Sequence, residues 1–285
     1  MKRCGLVAVM GETNAGKSTL INRLVGQKVS IVSQKVQTTL SKILGIVTRG
    51  DSQIIFIDTP GFSHNRKKCN ANLEKIAWDA FREANEVMFV IDVCRKKQES
   101  SIALLQKIHP DRRVSLVMTK VDLIHKPILL EIAAAFNKIR NFEKVFMVSS
   151  LTGSGIDEIL NYLESVVLEG EWLYDADQIT DSPFEKYASE ITREHVYYRL
   201  HQEIPYQCII ETEDYENKAD GSIRVVQRIR VKNKAHKAIF IGQAGGKIKA
   251  IGEASRRELS ELMGREVHLF LHVVVDEKHY SGKEN

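Results

Sequence analysis

Cysteine is scarce in this chain: four residues in 285, at Cys4, Cys69, Cys94 and Cys208, with no C-x-x-C pair among them. Scattered thiols exclude a disulfide framework or a zinc ribbon and fit a reducing compartment. No apolar stretch reaches the ~20 residues that a spanning helix needs. Residues 1–5 run straight into an apolar strand pattern, without the core of a signal peptide. These absences predict a cytoplasmic protein. The nine histidines form no metal-binding spacing; His268 and His272 could share a strand face, where surface placement is the simpler reading. Charge of one sign is not in great excess either, since a net +4 is too small to imply a polyanionic partner by itself. With 43% hydrophobic and 27% charged residues the composition is that of a globular protein, and 285 residues suffice for two domains with separate cores.

What is present is a phosphate-binding loop. Gly11-Glu12-Thr13-Asn14-Ala15-Gly16-Lys17-Ser18 reads G-x-x-x-x-G-K-S, follows the apolar run 6–10 and precedes Thr19 and a helical pattern. Strand, Gly-rich loop and helix is the context this motif needs. Its glycines let backbone N–H groups approach phosphate oxygens, and the helix N-terminus adds positive charge. Lys17 is placed to reach the β- and γ-phosphates and Ser18 to bind Mg²⁺.

Further motifs follow apolar strands. The run 54–57 ends in Asp58-Thr59-Pro60-Gly61-Phe62. Asp58 suits Mg²⁺ through its water shell, and Gly61 allows a backbone N–H to face the γ-phosphate. The run 114–118 leads into Thr119-Lys120-Val121-Asp122. Asp122 can accept two hydrogen bonds from the N1 and N2 edge of guanine, which adenine cannot supply, and Lys120 packs along the base. The run 145–148 leads to Ser149-Ser150-Leu151, whose backbone can serve guanine O6. The motifs in this order predict a GTP site, with an ATPase as a minor alternative. Apolar strands at 6–10, 54–57, 87–91, 114–118 and 145–148 alternate with helical patterns such as 70–84, 128–139 and 156–168. That alternation predicts an α/β fold, a mostly parallel sheet with helices on both faces.

The acidic stretch 171–181 reads as a linker between a GTPase domain at 1–170 and a second domain at 182–278, with a tail at 279–285. The second domain opens on a helix start, with Ser182 as N-cap, Pro183 at the first helical position and Glu185 completing a capping box. A strand at 206–212, a turn at 217–221 and an alternating strand at 223–231 follow. Ile241-Gly242-Gln243-Ala244-Gly245-Gly246-Lys247 then places a Gly-x-x-Gly turn between helices, the signature of a KH domain, whose loop clamps single-stranded nucleic acid by its backbone. A long helix to Met263 and a strand at 267–275 complete an α+β type II KH order. Between residues 221 and 252 lie eight Lys/Arg and no acid, whereas 211–220 carries five acids. This segregation predicts a basic rim around the loop, with Arg230, Lys232, Lys237, Lys247 and Lys249 as candidate RNA contacts.

These motifs together resemble the Era family of translation-factor-like GTPases, from Gly5 to about Val275. The resemblance implies that Gln37-Thr38-Thr39 is a first switch, with Thr39 preferred over Thr38 as a Mg²⁺ ligand, and that Lys17, Thr39 and Gly61 carry the chemistry. It also implies that Asn14 helps bind a potassium ion acting like an arginine finger; hydrogen bonding to its own backbone is equally open. Phe62 stands where Ras-like enzymes carry a water-orienting Gln, so slow intrinsic hydrolysis is expected. Three residues depart from the pattern: Thr119 for Asn, Ser150 for Ala and Leu40 for Arg. The implied function is binding of the 3′ end of small-subunit rRNA during assembly and maturation of that subunit, with occasional peripheral association with the inner membrane; the sequence is silent on oligomeric state, and a monomer is the default expectation. Two other classes remain open: an RNA-binding assembly factor with a catalytically slow nucleotide clamp, and a membrane-associated signalling GTPase.

Overall fold

A computed structural model describes residues 1–33, 42–62, 71–200 and 204–276 and divides into two compact units, Met1–Asp181 and Ser182–Asn285. Thr39, with Gln37, Thr38 and Leu40, and the tail at 279–285 lie outside the described residues.

The first unit runs β1 (Arg3–Gly11), α1 (Lys17–Val25), β2 (Ile43–Arg49), β3 (Ser52–Asp58), α2 (Ala71–Glu83), β4 (Glu86–Asp92), α3 (Glu99–Leu105), β5 (Val114–Thr119), α4 (Lys126–Asn137), β6 (Val145–Val148), α5 (Ile156–Val166) and β7 (Leu168–Glu169). The sheet order is β2-β3-β1-β4-β5-β6, parallel except for β2, with β7 pairing antiparallel to β1. The alternation of β1 explains why both faces are covered. Val7 and Val9 pack with Leu20, Ile21 and Leu24 of α1 and Ile159 and Leu163 of α5. Ala8 and Met10 face the other way, onto Ala77 and Phe81 of α2, Leu104 of α3 and Phe136 of α4. Since β1 has β3 on one side and β4 on the other, chain connections diverge at its C-terminal end and open a crevice there. The P-loop fills that end.

The stretch 171–181, expected to be a linker, belongs to this unit. The Gln53 side-chain oxygen accepts from Leu173 N (2.9 Å) and Tyr174 N (3.1 Å), and Ile46 N donates to Ile179 O at 2.8 Å. A polar residue inside β3 thus anchors a segment that has no apolar period of its own.

The second unit runs α6 (Phe184–Arg199), β8 (Cys208–Asn217), β9 (Ile223–Val231), α7 (Lys234–Ile241), α8 (Gly246–Met263) and β10 (Val267–Val275). Its sheet order is β10-β9-β8, with β9 antiparallel to β8 and parallel to β10. Ile229 and Val231 meet Val196 of α6, Phe240 of α7 and Ile251 of α8 in one core. The expected capping box is corrected: Pro183, in extended backbone, takes the N-cap position, and its ring offers no side-chain acceptor to the first turn. Pro183 lies one residue before the helix, so Ser182 falls outside the cap position. By contrast Asn233 does cap α7, accepting from His236 N at 2.9 Å.

Candidate GTP site and nucleic-acid groove

The P-loop turns through left-handed backbone at Asn14 and Gly16 to start α1. Lys17 is buried and its ammonium donates to Gly11 O (3.2 Å) and Glu12 O (2.8 Å), lying across the mouth of the loop. Burial pulls its pKa down to about 8; the Asp58 carboxylate opposes that shift and the Arg95 guanidinium adds to it. The Glu12 side chain, in contrast, points away from the cradle. Its carboxylate accepts from Ser101 Oγ at 2.5 Å and from Arg95, which also donates to Thr13 O. Only the backbone of Glu12 is therefore placed for phosphate.

Ser18 and Asp58 come together as a pair of oxygen ligands, with Ser18 Oγ donating to Asp58 Oδ2 at 2.7 Å. Ser30, which sequence reasoning missed, donates to the same oxygen at 2.6 Å. One carboxylate with hydroxyls beside a phosphate cradle fits Mg²⁺, which keeps few protein ligands and takes the rest from water and substrate. No cluster of three His, Cys, Asp or Glu competes for a metal among the described residues. Thr59 has a structural task instead, donating to Val9 O at 2.8 Å. Beyond buried Pro60, Gly61 approaches the P-loop so closely that a Cβ would lie 2.6 Å from Thr13 Cα and 2.9 Å from Lys17 Nζ. Phe62 is bridged to the loop by its backbone, with Thr13 N donating to Phe62 O at 3.0 Å. Its ring is buried edge-on to Trp78, 5.6 Å between centroids, and so takes no part in orienting water.

On the base side, Lys120 sits in left-handed backbone and its ammonium reaches Asp92 Oδ2 (2.6 Å) and Asn14 O (3.4 Å). Thr119 is buried and contacts Ala15 O at 2.7 Å. Val121 and Asp122 begin a short 3₁₀ turn; Asp122 is exposed, so the penalty for a wrong base depends on what the ligand itself covers. Ser149 closes a turn, its carbonyl accepting from Gly153 N at 2.8 Å, and leaves Ser150 and Leu151 outward. A cleft of ≈ 440 Å³ brings Ser150 beside Thr19, Asn22, Arg23 and Lys28. Asn22, Arg23 and Asp92 had no motif signal. Asn22 works by holding the chain after α1, accepting from Val29 N and Ser30 N, both at 2.9 Å.

In the second unit, Ile241 and Gly242 end α7, Gln243–Gly245 form a 3₁₀ turn and α8 begins at Gly246. Gln243, Ala244, Gly246, Lys247, Lys249 and Lys232 are exposed, and Lys237 is partly so. Arg230 is a correction. It pairs with Glu211 (2.9 Å) and Asp276 (3.0 Å), while Arg224 pairs with Asp214 (2.8 Å) and Arg228 with Glu213 (2.5 Å). The β8–β9 hairpin brings the acidic and basic runs face to face, on the side of the sheet opposite the helices. The basic rim consists of lysines, not these arginines. His268 and His272 share that outer face, opposite Arg224 and Arg228. Sequence reasoning also missed a groove of ≈ 290 Å³ beside the loop, floored by Ile248, Leu269 and Leu271 and edged by Lys249, Arg256 and Glu253, with Glu253 3.9 Å from the Lys249 ammonium. The signal was there in the strand alternation of 267–275, which leaves Leu269 and Leu271 half covered at the sheet edge.

Nucleotide motifs gathered at one sheet end, and a Gly-x-x-Gly turn beside an apolar groove, define the class: a P-loop GTPase domain followed by a KH domain. Residues 6–120 match the family described as 50S ribosome-binding GTPase, and residues 203–279 match the KH domain family. The chain is 46% identical to "GTPase Era" of Rhizobium meliloti, over 96% of this chain and 88% of that protein. It is 41% identical to "GTPase Era" of Erythrobacter litoralis, over 100% and 95%. A crystal structure of Era in complex with MgGDPNP and nucleotides 1506-1542 of 16S ribosomal RNA superposes with a TM-score of 0.88 at 32% identity, covering 100% of this chain and 97% of that one. A single-residue variant of Aquifex aeolicus Era bound to GDP.AlF4- gives 0.85 at 32% identity, covering 97% and 95%. The chain belongs to the Era family of GTPases.

Proposed function

We propose that this protein binds GTP and GDP with Mg²⁺, hydrolyses GTP, and holds single-stranded RNA from the 3′ end of small-subunit rRNA in its KH groove during assembly of that subunit. The observation that carries this reading is its likeness, over the full chain, to an Era structure holding both MgGDPNP and nucleotides 1506-1542 of 16S ribosomal RNA. Backbone N–H groups of residues 13–18 and the Lys17 ammonium hold the phosphates; Ser18 and Asp58 hold Mg²⁺, which neutralises charge developing on the transferred phosphoryl group. Gly61 presents backbone to the γ-phosphate, with Thr39 as the further switch ligand. Because the Phe62 ring is buried, water is oriented by something other than that side chain. Intrinsic turnover is therefore slow, and potassium at Asn14 or bound RNA raises it. Single-turnover hydrolysis measured with and without potassium and RNA tests this, and no acceleration by either would favour a slow nucleotide clamp. RNA affinity differs between GTP and GDP forms, and linkage requires the reciprocal effect on nucleotide affinity. The protein acts as a monomer in the cytoplasm, with occasional peripheral contact with the inner membrane. A crosslinking map of RNA bound in cells tests target and compartment; reads that avoid the 3′ end of small-subunit rRNA would sink the proposal.

Two further outcomes are expected. Asp122→Asn should shift base preference from guanine to xanthine, because the amide donates where xanthine presents a carbonyl. Unchanged preference in a competition assay would remove Asp122 from base reading. Nucleotide affinity should also depend on pH. The free protein holds the Lys17 proton only below about pH 8, and bound phosphates favour the charged form. Binding above that pH takes up a proton, so GDP affinity should stay level below it and fall by up to about tenfold per pH unit above it. A dissociation constant that stays flat through that range would contradict the assignment.

A further inference from the structure

Thr119 closes β5 where related GTPases carry asparagine. Its side chain is buried, and Oγ1 lies 2.7 Å from Ala15 O and 3.0 Å from Ile91 O. Both neighbours are carbonyl oxygens, which only accept. A hydroxyl has a single proton, and the shorter contact commits it to the P-loop. Whatever capacity remains on Oγ1 is to accept. The N7 and O6 edge of guanine also only accepts. Turning the proton toward the base would strip the P-loop carbonyl of that donor. Lys120 offers no substitute, since its ammonium is drawn to Asp92 Oδ2 at 2.6 Å and Asn14 O at 3.4 Å.

We infer that Thr119 serves only as a strut beneath the P-loop, and that purine N7 goes unread by the Thr-Lys-x-Asp turn, leaving guanine selection to Asp122 at the N1/N2 edge and to the backbone of residues 149–151 at O6. The inference rests on the GTP-site reading above and deepens it, because it states which atoms of the base are recognised. A nucleotide altered at N7 is then a full ligand, whereas one altered at the 2-amino group is not.

Dissociation constants of the full-length protein for GDP, 7-deaza-GDP, IDP and ADP test this. The expected result is 7-deaza-GDP within about twofold of GDP and IDP weaker by about tenfold or more. A loss of about tenfold with 7-deaza-GDP would show that N7 is read and overturn the inference. IDP and ADP binding as tightly as GDP would instead overturn the guanine-site reading itself. Thr119→Asn adds a second arm. An amide has two N–H donors, one for Ala15 O and one for N7. GDP should tighten about five- to tenfold in this variant while 7-deaza-GDP stays unchanged. Equal tightening of both would locate the missing contact elsewhere and defeat the idea. The comparison of nucleotides on the unaltered protein stands even if the variant does not fold.

Discussion

Lys17→Ala should weaken GTP binding by about two to three orders of magnitude, the loss of a buried charge-assisted contact to phosphate. The same change should leave the nucleotide-free protein no less stable, and this second half is the more diagnostic. In the free P-loop the ammonium is buried against carbonyls of Gly11 and Glu12, and its pKa falls from 10.5 to about 8. A base whose folded pKa is depressed costs stability while both states hold the proton. The penalty is fully present below about pH 8 and disappears as pH rises past the unfolded value of 10.5. It amounts to roughly 3 kcal/mol at neutral pH, offset by the packing of the lysine stem. The loop thus stores an unfavourable charge that phosphate relieves. Fluorescent-nucleotide titration with thermal unfolding checks both halves. Native affinity in the variant would remove Lys17 from the site; a large fall in unfolding temperature without nucleotide would show that the buried ammonium is stabilising.

Gly245→Asp should reduce affinity for single-stranded RNA by about two orders of magnitude or more while GTP binding and unfolding temperature stay near native, because like-charge contact costs several kcal/mol. Gly245 has φ +78° and nothing within 4 Å of where a Cβ would sit. Aspartate tolerates that left-handed backbone at a strain of about 1 kcal/mol. Its carboxylate would stand at the open loop that phosphates approach. Gly242→Asp should act differently. There φ is 71° and ψ 179°, and a Cβ would lie 2.7 Å from Lys247 Cγ and 3.1 Å from Lys247 N. That variant should lose RNA binding and thermal stability together, since the turn into α8 must shift. Electrophoretic mobility assays with a 3′-terminal rRNA fragment separate the two. RNA affinity unchanged in folded Gly245→Asp protein would take RNA away from this loop.

Much of this site was legible in the chain because its signals are local. The strands bearing the nucleotide motifs are apolar runs buried on both faces, so β3 and β5 appear within two residues of the expected positions. The strand β2 was not anticipated: Ile43–Arg49 follows the switch region and its apolar residues show no distinctive alternation. It exists because it pairs with β3. Ser30 and Arg95 carried no motif either. They matter because folding brings Ser30 to Asp58 and Arg95 to Glu12 and Thr13 O, across separations of 28, 83 and 82 residues.

The order of Gly16-Lys17-Ser18, Asp58, Asp122 and the Gly-x-x-Gly turn by itself determined a GTPase joined to a KH domain, since each motif needs only a strand end or a helix start to work. Which charges are available was decided only in three dimensions. Pairing β8 with β9 turned a basic run into neutralised pairs, burying Lys17 lowered its pKa, and packing Thr119 against Ala15 O committed its one proton. Electrostatics and hydrogen bonding depend on distance in space and on exclusion of water, and neither is written along the chain.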